Sequence, residues 1–96
     1  MSDPSTDPHI AALREQISAA DRSILAALNA RLGLVEEIRR YKEEQGFAFV
    51  DPGRERQLMD DLCAVNDGPL SEDGLREVFA QILDLMKRET AARDRA

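Results

Sequence analysis

Apolar residues recur at helical spacing along residues 9–45. Ile10, Leu13, Ile17, Ile24, Leu28, Val35 and Ile38 follow one another in steps of three, four or seven, the repeat that lines one face of an α-helix. The row predicts one helix from His9 to about Gln45, roughly 55 Å long at 1.5 Å per residue. Asp7-Pro8 offers a cap and a first-turn proline, and Gly46 offers the residue that ends a helix in a left-handed conformation. Gly33 is the weak point inside, costing about 1 kcal/mol relative to Ala.

A short apolar connector, Phe47-Ala48-Phe49-Val50, leads to Asp51-Pro52, where a second helix begins with Leu58, Met59, Leu62, Cys63 and Val65 on its inner side. Asn66-Asp67-Gly68-Pro69 is a turn signal. Ser71 then caps a third helix whose inner side holds Leu75, Val78, Phe79, Ile82, Leu83 and Met86. The charged stretch after Glu89 is expected to fray. No segment alternates as a strand does, so the fold class is all-α, three helices with a very long first one. A compact domain of this size has a radius of gyration of about 13 Å, so the first helix overhangs any core one chain can build. The simplest solution is an interlocked homodimer that packs two long helices together.

Three cations interrupt the first helix's apolar row. Arg31 and Lys42 fill slots where Leu or Ile belongs, and Arg14 borders the same row. Eleven residues are close to three turns, so Arg31 and Lys42 face the same way, roughly 16 Å apart. A buried charge without a partner is costly. Either acidic side chains meet these cations, their stems snorkel to solvent, or an anionic ligand sits between them. Arg14, beside Glu15, also reads as a solvated face residue. The neighbours Glu36, Glu37, Arg39, Arg40, Glu43 and Glu44 read as an ordinary solvated face with i,i+4 pairs.

Asp51-Pro52-Gly53-Arg54-Glu55 is a second cluster. Asp51 as cap and Pro52 at the first helical position explain its start. Arg54 at the third position opposes the helix dipole, and Glu55 is one residue too late for a capping box. Plain capping and a functional demand on Arg54 and Glu55 both remain open.

Composition narrows the chemistry. Ninety-six residues make one domain,, read as a loose tail over residues 1–8, a helical domain over 9–90 and a frayed end over 91–96. The formal net charge of −6 argues against nucleic acid, whose phosphates need clustered Lys and Arg. It also makes the inward cations a local field set against the protein's own average. Cys63 and His9 are the sole residues of their kinds, so neither a disulfide nor a zinc site of the usual sort is expected. Cys63 lies in an apolar pattern and reads as a core residue. No stretch is apolar enough to span a membrane, the opening residues lack the marks of a signal peptide, and a reducing, cytoplasmic setting is the simplest expectation. There is no phosphate loop, metal-binding helix motif or calcium loop. An enzyme built from these residues works by binding, charge placement and hydrogen bonding, with no metal and no cofactor.

Taken in order, Leu13-Arg14-Glu15-Gln16-Ile17 with Asp21, Asn29-Ala30-Arg31, Ile38 through Lys42, Asp51-Pro52-Gly53-Arg54-Glu55, Asn66 through Ser71 and Phe79-Ala80-Gln81-Ile82 resemble the all-helical bacterial chorismate mutases. The likeness runs from about Ile10 to Glu89. It implies an intertwined homodimer with two active sites, each inside a helical bundle, that rearranges chorismate to prephenate in aromatic amino-acid biosynthesis. By matching position it implies that Arg14, Arg31 and Arg54 hold the two substrate carboxylates, with Arg14 reaching into the partner's site. Lys42 would bond the ether oxygen, and Glu55, aided by the backbone near Asp51, the ring hydroxyl. In the third helix the family often has a small residue and then Gln or Glu as second donor to the ether oxygen. Met86 and Thr90 stand at those positions here, which leaves that donor unassigned. Other functions on the same scaffold are rearrangement of 4-amino-4-deoxychorismate, isochorismate pyruvate-lyase activity, or a regulatory helical module docked on another shikimate-pathway enzyme.

Overall fold

A computed structural model describes residues 3–49 and 51–94. Val50, at the end of the connector, and the outermost two residues of each expected tail lie outside the described residues. Three α-helices follow a short 3-10 turn at Pro4–Thr6: α1 (Pro8–Gln45), α2 (Pro52–Val65) and α3 (Glu72–Asp94). No strand occurs among the described residues, and no described helix is long and apolar enough to cross a membrane.

Local chemistry sets the helix limits. Asp7 Oδ1 accepts from the backbone N–H of His9 at 2.8 Å and of Ile10 at 3.0 Å, capping α1. At the other end Gly46 takes φ +75. Its N–H donates to the Glu43 carbonyl and that of Phe47 to the Lys42 carbonyl at 2.8 Å, the paired bonds of a Schellman stop. Asp51 Oδ1 accepts from the Arg54 N–H at 3.1 Å to cap α2. In the turn that follows α2, Asn66 Nδ2 donates to the Leu70 carbonyl at 2.8 Å and Asn66 Oδ1 accepts from the Gly68 N–H at 3.1 Å. Ser71 Oγ accepts from the Gly74 N–H at 3.0 Å to cap α3, with Glu72 and Asp73 in the first turn, where negative charge suits the helix dipole. α3 continues to Asp94, past Glu89, so the helix outruns the length that its sequence pattern suggests. Asp3 accepts from the Ser5 N–H at 3.0 Å, which holds its carboxyl below the usual range, so part of the expected loose tail carries a capped turn.

The chain divides into two units, Met1–Leu34 and Val35–Ala96, with the boundary inside α1. In the first unit α1 leaves its apolar side open: Ile17 is 60% and Ile24 57% exposed, and Leu13 and Leu25 are exposed as well. In the second unit α2 and α3 pack antiparallel. Leu58, Met59, Leu62 and Cys63 of α2 are half-buried, and Leu75, Phe79, Ile82, Leu83 and Met86 of α3 are half-buried or buried. Arg76 pairs with Asp60 at 3.7 Å and Lys87 with Glu55 at 2.7 Å across the pair. Val65 and Val78, expected inside, are exposed. At about 100° per residue both lie well to the side of the stripe that their neighbours form.

Candidate functional site

The expected site residues fall in both units. Arg14 and Arg31 are in the first, where Arg14 is exposed and Arg31 half-buried. Lys42, Asp51, Arg54, Glu55, Met86 and Thr90 are in the second, near the C-terminal end of α1, the N-terminal end of α2 and the later turns of α3.

Within the second unit a chain of contacts ties these ends together. Lys42, in the last turn of α1, reaches the Phe49 carbonyl with Nζ at 3.5 Å, the long limit of a hydrogen bond. A turn earlier on α1, Arg39 sets its guanidinium 4.6 Å from the centroid of the Phe49 ring. Its NH1 donates to Thr90 Oγ1 on α3 at 3.2 Å. Glu55, in the first turn of α2, accepts from Lys87 on α3. Thr90 is 2% and Met86 3% exposed, so both matched α3 positions are buried parts of the packing. The Thr90 hydroxyl lies 2.9 Å from the Met86 carbonyl and 3.1 Å from that of Lys87.

Arg39 departs from the expectation set by the sequence, which counts it and Glu36 with a solvated face. Both are half-buried, whereas Ile38, expected inward, is exposed. The half-buried row of α1 reads Leu28, Arg31, Val35, Arg39, Lys42, in steps of three and four. That spacing was available in the sequence. It passes unnoticed when Ile38 is assigned inward because it is apolar, since neighbouring positions differ by only about 100°. Lys87, the ion-pair partner of Glu55, is marked by no local pattern in the sequence.

Glu55 and Lys87 line an open groove of about 530 Å³ between α2 and α3, with Pro52, Met59 and Leu83 also on its walls. The pair is partly solvated, and ion pairs of this kind contribute about 0–1 kcal/mol. Its clearer effect is to fix the direction of the Glu55 carboxylate. A second open pocket surrounds Cys63, with Arg76 and Glu72 beside it. Partial burial is the main cause that pushes the Cys63 thiol above its ordinary pKa. A thiol that stays protonated at neutral pH is a poor nucleophile, and Cys63 is half-buried as its apolar pattern suggests.

Within the second unit Arg39, Lys42 and Arg54 bring cationic hydrogen-bond donors to these helix ends, a chemistry that suits an anionic ligand. Residues 13–91 match the family model described as chorismate mutase type II. The chain is similar to two solved structures of chorismate mutase from Thermus thermophilus. For form II the TM-score is 0.82 at 34% identity, covering 86% of this chain and 94% of that one. For form I the TM-score is 0.79 at 36% identity, covering 81% and 98%. No curated protein matches the chain.

Proposed function

This chain belongs to the type II chorismate mutase family, and we propose that it rearranges chorismate to prephenate. The observation that carries the reading is the family match over residues 13–91, a span that takes in Arg14, Arg31, Lys42, Arg54 and Glu55. Conversion of chorismate by the purified protein, with prephenate identified as the product, is the direct test. Chorismate left unconverted by the folded protein would point to another chorismate-like substrate.

The reaction is a pericyclic shift within one molecule. A C–O bond breaks, a C–C bond forms, and no atom leaves, so nothing in it requires a nucleophile. The enzyme's work is to hold a flexible dianion in a compact, reactive conformer and to stabilise the charge that grows on the ether oxygen. Arg31 and Arg54 suit the carboxylates, because a planar guanidinium can donate two parallel bonds to one carboxylate. Lys42 suits the ether oxygen, because a compact ammonium concentrates charge on a single atom. Glu55, steadied by Lys87, accepts the ring hydroxyl's proton in a hydrogen bond, and Asp51 keeps the start of α2 in place beside it.

The active form in this reading is a homodimer, with Arg14 of each chain serving the partner's site. The exposed Leu13, Ile17, Ile24 and Leu25 on α1 support it, since a contiguous open apolar surface on a helix marks a contact face. The expected setting is the cytoplasm, where a lone thiol such as Cys63 stays reduced.

Arg31→Ala separates a ligand-binding role from a structural one. Loss of a charge-assisted bond that is present in the ground state and strengthens in the transition state should raise KM and lower kcat together, with kcat/KM down about 10²-fold. A lowered melting temperature with unchanged kinetics would instead make Arg31 a structural ion-pair partner.

A further inference from the structure

The third helix offers no donor at the positions where the family likeness expects one. Met86 has none, and the single hydroxyl proton of Thr90 is directed at its own helix, with the Met86 carbonyl 2.9 Å and the Lys87 carbonyl 3.1 Å away. The side chain is 2% exposed and too short to reach outward. What the Thr90 oxygen still offers is a lone pair, and Arg39 NH1 donates to it at 3.2 Å.

We infer that Arg39 supplies the second donor to the ether oxygen, beside Lys42, and that Thr90 is the residue that positions it. The inference rests on the chorismate mutase reading and names a contact that reading leaves unfilled. Arg39 and Lys42 are three residues apart on α1, so they share a face. Both converge on Phe49, Lys42 at its carbonyl and Arg39 over its ring. The contact over the Phe49 ring holds the guanidinium on one side,, and the bond to Thr90 holds one of its NH2 groups on α3. A donor held in two ways before substrate arrives needs no reorganisation as the C–O bond breaks. An arginine has five N–H donors, and its bonds to an oxygen that is gaining charge are stronger than those of a neutral amide. A gap on α3 is thereby met from α1, by a side chain that crosses to α3 for its support.

Steady-state kinetics of chorismate conversion test this with Arg39→Met, Arg39→Lys, Thr90→Val and the double variant R39M/T90V. Methionine keeps an apolar stem over Phe49 and removes the charge. In Arg39→Met kcat should fall about 10²-fold, the loss of one preorganised donor, with KM changed by less than about threefold. Arg39→Lys should recover part of that loss. Thr90→Val, close in shape but without the acceptor, should lower kcat about tenfold, in line with one lost bond to a charged group. The double variant should be no slower than Arg39→Met, because Thr90 acts only through Arg39. A merely structural strut would lower the melting temperature and leave kcat of the folded enzyme unmoved. Wild-type kcat in Arg39→Met, or multiplied losses in the double variant, would overturn the assignment. If Arg39→Met fails to fold, Thr90→Val decides, since wild-type kcat there would remove the positioning of Arg39 on which the assignment depends. An inactive wild-type protein would bring down the functional reading and this inference together. An active wild type matched by Arg39→Met would bring down this inference alone.

Discussion

Lys42→Ala will lower chorismate turnover by about 10³-fold, while the protein keeps its helical circular dichroism and its oligomeric state. The size follows from where the charge acts. Lys42 is expected to face the oxygen whose negative charge grows as the C–O bond lengthens, an interaction stronger in the transition state than in the ground state. A 10³-fold loss corresponds to about 4 kcal/mol. Two other jobs of Lys42 are smaller. It lies in the last turn of α1, where a cation favours the helix dipole by about 0.3–1 kcal/mol. Its bond to the Phe49 carbonyl is 3.5 Å long and weak. The Schellman stop uses the backbone carbonyl of Lys42, which alanine retains. The variant should thus be nearly as stable as the wild type and far slower. Turnover within tenfold of wild type in a folded Lys42→Ala protein would remove Lys42 from the chemistry. Comparing it with Arg39→Met also ranks the two donors: the ammonium, carrying its charge on one atom, is expected to matter more than the delocalised guanidinium.

Much of this arrangement is legible along the chain, and the reasons differ by element. Helix ends are legible because they are local chemistry. Asp7, Asp51 and Ser71 each accept from backbone N–H groups two or three residues onward, and Gly46 supplies the positive φ that a stop requires. The inner faces of α2 and α3 are legible because these helices pack on each other, so period and burial agree. The first helix is harder. Its apolar row holds as a pattern, yet Ile17 and Ile24 are exposed in one chain, so a row that reads in sequence like a core is not buried by the chain's own helices. Arg39 is hardest, since its bond to Thr90 joins residues 51 apart and no local rule links them. From sequence, Thr90 is a missing donor. In the fold its hydroxyl is a buried acceptor for a cation on another helix. The candidate site residues legible in sequence are cations out of place in an apolar row, whereas Arg39 stands among charges and no pattern singles it out.

Mixing two inactive variants will restore activity if the site is shared between chains. Arg14→Ala and Lys42→Ala should each be slow as homodimers, because every site in either one lacks a cation. Unfolded together in equal amounts and refolded, they should recover about a quarter of wild-type turnover. Random pairing makes half of the dimers mixed. In each mixed dimer one site takes its Lys42 from the first variant and its Arg14 from the second and is intact, whereas the other site lacks both. Half of the dimers with one good site of two gives the quarter. The recovery is specific to a site crossing the dimer axis. If Arg14 served its own chain, every site in a mixed dimer would still lack one cation, and mixing would return no more than the average of the two variants. Differently tagged chains allow the mixed dimer to be isolated, in which case turnover per dimer should reach about half of wild type. An isolated mixed dimer with no gain would confine Arg14 to its own chain. A protein that light scattering finds monomeric at micromolar concentration would remove the shared site altogether, and with it the reason that α1 leaves Ile17 and Ile24 uncovered.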